Sequence, residues 1–178
     1  MHDSSGYLQG YNVQAVVTED QVIVAAEVTQ DPSDNHQLVP MVAATQSNLE
    51  SIQLQQPVGA VVADAGYWSP EGAACEAGPE LFIVPQTNAG RAQPPLALTG
   101  RIPASATPLQ LMERKLSTKA GHAIYARRAV TVEPVFGQIK ENRRVRRFQR
   151  RGLRPVSCKW KLVTATPQPP QAVAQREA

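Results

Sequence analysis

Cysteine and histidine are scarce in this sequence of 178 residues, which contains two and three of them respectively. The cysteines, Cys75 and Cys158, lie far apart and form no CxxC or Cys/His cluster. The common zinc-binding patterns are thereby excluded, and we assign the cysteines no chemical role. The histidines are isolated in the sequence, and we interpret each as a surface or structural residue rather than a metal ligand. They are His2, His36 and His122.

Long apolar runs are also missing from the sequence. Runs such as residues 58–63 are far shorter than the roughly 20 residues that a membrane-spanning helix requires. No basic segment followed by an apolar one is found at the start of the sequence, so no signal peptide is predicted. We therefore expect a cytoplasmic protein that does not enter a membrane.

Basic residues are almost absent from residues 1–100. Arg91 is the single one there, against eleven acidic residues, which gives a formal charge of −10. Residues 101–178 contain seventeen basic and four acidic residues, a formal charge of +13. This asymmetry indicates a polyanionic partner for the second half, which for a cytoplasmic protein is usually nucleic acid. The alternative is an ordinary solvated helix face.

The apolar pattern predicts strands followed by helices. Runs rich in β-branched residues indicate strands, and residues 86–108, rich in proline, glycine and small polar residues, are expected to form a loop or insertion. The proline-rich and polar residues 163–178 are predicted to be a disordered tail. The predicted elements are a hairpin of residues 11–17 and 22–28, a helix over residues 35–50, buried strands at residues 58–63 and 81–85, a short helix capped by Ser69, and helices from Leu109 and from Thr131.

Two acidic residues are candidates for chemistry. Asp64 follows the apolar run of residues 58–63, where a carboxylate needs solvent, a partner or a metal ion. Since Gly66 follows it, Asp64 is equally explained as a turn-forming residue. Glu133 is predicted in the first turn of a helix, where a capping role explains it on its own, although its basic surroundings suit a metal ligand facing phosphate. Both interpretations of each residue stay open at this point.

The surroundings of Glu133 resemble the glutamate region of DDE transposases of bacterial insertion sequences. The signature of that group is a tyrosine, an arginine, the catalytic glutamate and a lysine, which Tyr125, Arg128, Glu133 and Lys140 match in order. Six residues separate the glutamate from the lysine, as in the family. Four residues separate Arg128 from Glu133, where three are commoner. Residues 10–16 and 63–67 resemble further stretches of the family, so the similarity covers about residues 6 to 162.

The resemblance implies an α/β, ribonuclease H-like domain over residues 1–162, with a mixed sheet and flanking helices. Asp64 and Glu133 would be two of three catalytic carboxylates that bind a pair of Mg²⁺ or Mn²⁺ ions. The family's first aspartate lies on a strand before the hairpin, and Asp3 lacks such a strand. We therefore expect an N-terminally truncated domain without its first strand, in which catalysis is weak or absent.

Residues 143–154 contain seven arginines and no acidic residue. Because like charges at helical spacing repel one another, a helix with this sequence is better explained by binding to a polyanion. We expect Phe148 and Leu153 to face the core. The predicted DNA-binding residues are Tyr125, Arg128, Lys140, Arg143, Arg144, Arg146, Arg147, Arg150 and Arg151.

Two functions follow from these patterns. The first is a transposase that cleaves and transfers DNA strands at insertion-sequence ends and is a homodimer when active. The second is an inactive remnant that only binds DNA through its basic C-terminal helix. Metal-dependent nicking of DNA distinguishes them, whereas steeply salt-dependent DNA binding is expected of both.

Overall fold

The computed structural model describes residues 2–3, 6–7, 10–54, 57–73, 78–85, 97 and 99–166. The chain divides into two compact units. Unit 1 consists of Met1–Pro32, Met41–Gln53 and Ala129–Ala178, and unit 2 consists of Ser33–Pro40 and Leu54–Arg128.

Unit 1 is built around an antiparallel hairpin. Strands β3 (Asn12–Val17) and β4 (Ile23–Thr29) pair from Asn12 opposite Thr29 to Val17 opposite Ile23, with a register shift between Val16 and Val17. The predicted hairpin is therefore confirmed. The other elements of this unit are β1 (His2–Asp3) paired with β2 (Gly6–Tyr7), most of α1 (Leu38–Ser51), α5 (Arg128–Gly137), a π-helical turn (Gln138–Asn142) and α6 (Leu153–Ala165).

The core of unit 1 joins the hairpin to α5 and α6. Val135, Ile139 and Trp160 are buried together, and apolar side chains of both strands pack against them. The Trp160 indole N–H donates to the carbonyl oxygen of Gln14 at 3.0 Å, so its polar group is satisfied inside the core. The Phe136 ring stacks on Trp160 with centroids 6.2 Å apart. Val135 and Ile139, four residues apart, thus face the same core.

Helix α5 begins at Arg128, so the predicted start at Thr131 is wrong. Pro134 consequently lies inside the helix, where it has no N–H to donate to the carbonyl of Val130. The Gln21 side-chain amide donates to that oxygen at 3.0 Å instead. This bond, between residues 109 positions apart, gives the Val130 carbonyl the hydrogen-bond partner that Pro134 cannot supply.

Unit 2 contains a pair of parallel strands, β5 (Ala60–Ala63) and β6 (Glu80–Ile83). Leu38, Ala63 and Ile83 form its buried cluster. Both strands were predicted, with ends that differ by two residues at most. The helices of this unit are α2 (Pro70–Ala73), whose capping Ser69 hydroxyl accepts the Gly72 N–H at 3.0 Å as predicted, α3 (Pro108–Ser117) and α4 (Lys119–Ala126).

The fold is mixed α/β, as predicted, with small sheets and helices. Among the described residues the strands form three separate two-stranded sheets. Most of the loop predicted at residues 86–108, and residues 167–178 of the predicted tail, lie outside the described residues. No helix within the described ranges is long and apolar enough to cross a membrane.

Gly121 is required where α3 meets α4. A Cβ at this position would lie 2.1 Å from the carbonyl oxygen of Lys115, which is backbone and cannot swing away. We expect Gly121→Ala to lower the free energy of unfolding by about 1 to 3 kcal/mol, measured by urea denaturation followed by circular dichroism. The matched control is Gly137→Ala, because Gly137 is also helical and a Cβ there meets nothing within 4 Å. That change should stabilise by up to about 1 kcal/mol, and equal effects of the two substitutions would contradict the steric explanation.

Candidate metal site and nucleic-acid interface

Asp64 lies directly after β5, at the position predicted from the sequence, and is exposed. Its Oδ1 accepts the Gly66 N–H at 2.9 Å and caps a short 3₁₀ helix, Ala65–Tyr67. The turn-forming role is therefore observed. The role of Asp64 as a metal ligand stays a prediction.

A second carboxylate, from Asp34, lies close to Asp64 in unit 2. A Cβ on Gly66 would be 3.1 Å from Asp64 Oδ1 and 3.3 Å from Asp34 Oδ2, so both side chains flank the same glycine. Carboxylate oxygens are the ligands that Mg²⁺ prefers. Sequence reasoning missed Asp34, because its place in the turn before α1 indicated only a helix cap.

Tyr67 packs beside these two carboxylates. Burial raises the pKa of its hydroxyl well above the ordinary value, and the negative charges of Asp34 and Asp64 raise it further. The hydroxyl therefore keeps its proton at neutral pH and is a hydrogen-bond donor there.

Glu133 is exposed and lies in the second turn of α5, within unit 1. Its predicted place in the first turn is wrong, since the helix begins at Arg128. The helix dipole acts mainly on the first turn, so it stabilises an anion at Glu133 less than expected. Within the described ranges, no group of three or more His, Cys, Asp or Glu side chains is arranged to hold a metal ion.

The remaining residues of the signature lie on three elements. Tyr125 is half-buried in α4, Arg128 is the first residue of α5, and Lys140 is exposed in the π-helical turn. In that turn the Arg143 N–H donates to the Gln138 carbonyl at 3.1 Å, five residues back. The wider turn changes the angle between successive side chains. The α-helical spacing between Glu133 and Lys140 therefore does not predict whether the two side chains lie on the same face. π-helical turns are rare in proteins overall, and those that occur are often found at functional sites.

Residues 143–152, which we call the arginine loop, connect the π-helical turn to α6. They form no regular helix, so the predicted basic helix is wrong. Arg144 and Gly152 adopt positive φ angles of 55° and 95°, which an α-helix does not allow. The prediction for Phe148 is confirmed, because it packs against the core of unit 1. The prediction for Leu153 is wrong, since 43% of this residue is exposed.

Arg143 anchors the beginning of the arginine loop. Its guanidinium donates to the carbonyl oxygens of Val163 and, at 2.9 Å, Thr166, at the C-terminal end of α6. The last carbonyls of a helix lack intrahelical partners, and a cation near them also interacts favourably with the negative end of the helix dipole. Arg143 was predicted to bind DNA, which stays untested, but its guanidinium has a structural role.

The other arginines of the loop differ in their partners. Arg146 forms an ion pair with Glu141, and both side chains are about two-thirds exposed. Four more arginines are exposed, and in the part of the chain that the structure describes their side chains make no hydrogen bond or ion pair. They are Arg144, Arg147, Arg150 and Arg151. Several solvent-facing guanidinium groups on an anchored loop are suited to contacts with phosphates.

Comparison with known families gives a match in the second half of the chain. Residues 98–167 match the family model for the transposase DDE domain. The match supports a DDE transposase. The resemblance predicted from the sequence is thus confirmed for the part of it within residues 98–167, and this match includes Glu133, Lys140 and the whole arginine loop. DDE transposase domains generally use divalent metal ions, and they act on DNA. No curated protein and no solved structure matches the chain.

Proposed function

We propose that this chain is an insertion-sequence transposase of ribonuclease H-like fold, which cleaves and transfers DNA strands at the ends of the element. The match over residues 98–167 carries the proposal, because it contains Glu133 together with the arginine loop. The parallel strands β5 and β6, with Asp64 after the first of them, are compatible with this fold.

Asp64 and Glu133 are the proposed metal ligands. Both carboxylates are exposed, and their hard oxygen atoms suit Mg²⁺ or Mn²⁺. Two such ions would stabilise the charge on the attacking and leaving oxygens of an in-line phosphoryl displacement. The protein's role is to hold the carboxylate oxygens of Asp64 and Glu133 in place. The hydrogen bond from the Gly66 N–H fixes the orientation of the Asp64 carboxylate.

The arginine loop is the proposed DNA-binding surface. Each phosphate that an arginine neutralises releases counterions, so binding falls as salt rises and is independent of sequence. An irregular loop differs from a recognition helix in that no regular row of side chains is presented to base edges in the major groove. We therefore expect phosphate contacts to dominate here.

The proposed function also includes pairing of two copies of the chain, which would bring two DNA ends together.

The second candidate is a protein that binds DNA without cleaving it. This function needs only the arginine loop, whose exposed guanidinium groups suit contacts with phosphates. The arginine loop, rather than the predicted basic helix, would then account for binding.

The test incubates the purified chain with duplex DNA carrying the element ends, in Mg²⁺, in Mn²⁺ and in a chelator. The proposal predicts metal-dependent nicks, even if their rate is low in a truncated domain, together with affinity that falls steeply as salt rises. Salt-dependent binding without nicks would favour the second candidate. Neither nicking nor salt-dependent binding would refute both.

A further inference from the structure

We propose that Tyr11 is a positioning residue for the arginine loop, which sets the conformation in which the exposed arginines meet DNA. This inference rests on the proposed DNA-binding function of the loop. Tyr11 lies immediately before β3, far from the loop in sequence, and belongs to the same unit. Its hydroxyl and its ring hold two different points of the loop.

The hydroxyl holds the end of the loop. The Gly152 N–H donates to Tyr11 Oη at 2.6 Å, across 141 residues of sequence. Gly152 immediately precedes α6 and has a backbone φ of 95°, a conformation that residues other than glycine rarely adopt. No side chain caps α6 at this position. The hydrogen bond from Gly152 therefore fixes the point at which the loop turns into the helix.

The ring of Tyr11 holds the middle of the loop. It meets the Phe148 ring edge to face, with centroids 6.4 Å apart and an angle of 86° between the planes. Phe148 also packs against the core of unit 1, and the Lys159 ammonium lies 6.0 Å from the centroid of its ring. Such aromatic pairs prefer this perpendicular arrangement. Tyr11 and the core thus hold Phe148 from two sides.

These two contacts enclose two of the solvent-facing arginines. Arg150 and Arg151 lie between Phe148 and Gly152 in sequence, and Arg147 immediately precedes Phe148. A loop fixed at both ends of this segment loses less conformational freedom when it binds phosphate, so affinity is higher for the same contacts. Loss of the Tyr11 hydroxyl should weaken binding without changing how many phosphates are contacted.

The test compares the complete chain with its Tyr11→Phe variant on a short duplex of random sequence. Affinity is measured by fluorescence anisotropy between about 50 and 200 mM salt. We expect Tyr11→Phe to bind about two- to tenfold more weakly at each salt concentration, the effect of one lost hydrogen bond. The slope of log affinity against log salt should not change. Asn48→Ala is the control, since it removes a hydrogen bond of 2.9 Å from Asn48 to the Val24 carbonyl, on the other strand of the hairpin.

Limited trypsin digestion supplies a readout that needs no DNA. Trypsin cleaves after arginine, so a loosened loop should be cut faster in Tyr11→Phe than in the wild type or in Asn48→Ala under native conditions. Unchanged affinity and unchanged digestion of Tyr11→Phe would overturn the inference. An equal loss of affinity in Asn48→Ala, or a lower salt slope in Tyr11→Phe, would also overturn it. If the wild type shows no salt-dependent binding, the proposed function fails, and digestion still tests whether Tyr11 holds the loop.

Discussion

Replacement of Glu133 by glutamine is expected to abolish Mg²⁺-dependent DNA cleavage while leaving DNA affinity within about twofold. The amide keeps the size of the side chain but removes the negative charge that a metal ligand needs. Stabilisation by bound metal contributes several kcal/mol to reactions of this class, so we expect the cleavage rate to fall by at least roughly a hundredfold. The measurement is the rate of nicking of end-containing DNA at saturating metal.

Glu141→Gln is the matched control for this change. Glu141 is also exposed, lies in the adjoining π-helical turn, and loses the same charge on substitution. Its observed partner is Arg146 rather than a proposed metal ion, so nicking should continue in this variant. Nicking of equal rate in Glu133→Gln and in the wild type would refute the assignment of Glu133.

Asp64 permits a second test of the proposed role of both carboxylates as metal ligands. If Asp64 and Glu133 act together, the double variant Asp64→Asn/Glu133→Gln should cleave no more slowly than either single variant, because residues that act as a unit are not additive. Additive losses would indicate two separate roles. The hydrogen bond from Gly66 to Asp64 can persist in Asp64→Asn, since an amide oxygen also accepts, and the turn should therefore be retained.

The hairpin, the existence of strands β5 and β6, and the position of Asp64 could be predicted because local pattern determines them. Alternating apolar residues and short apolar runs bounded by turn residues carry that information within a few positions. The capping hydroxyl of Ser69 was equally visible, since its partner Gly72 is three residues away. These features do not depend on distant parts of the chain.

The features that sequence reasoning missed depend on long-range contacts. Pro134 in the sequence indicates the beginning of a helix, whereas in the structure it lies inside α5, and the Val130 carbonyl accepts a hydrogen bond from the distant Gln21 side chain. The arginine loop ends at Gly152, whose N–H donates to Tyr11, 141 residues away in the sequence. Asp34 approaches Asp64 only through the fold of unit 2. Periodicity within a window of residues contains none of this information.

Replacement of Arg144, Arg147, Arg150 and Arg151 by glutamine should remove most of the salt dependence of DNA binding. Each contact between an arginine and a phosphate adds about 0.9 to the slope of log affinity against log salt, so the slope should fall by about three to four. Affinity at low salt should fall on the order of a hundredfold. Because these side chains are exposed and make no hydrogen bond or ion pair to the described residues, the free energy of unfolding should change little.

Arg143→Gln is the control that separates charge in general from charge at the exposed positions. Its guanidinium caps α6, so this change should lower the free energy of unfolding by about 1 kcal/mol and leave the salt slope nearly constant. The two variants should thus show opposite patterns, one losing DNA binding with its stability intact and the other losing stability with its salt slope intact. A quadruple variant that keeps the wild-type slope would place the DNA-binding surface elsewhere on the chain. A fall of the slope by about one in Arg143→Gln would instead mean that its guanidinium leaves α6 to bind phosphate.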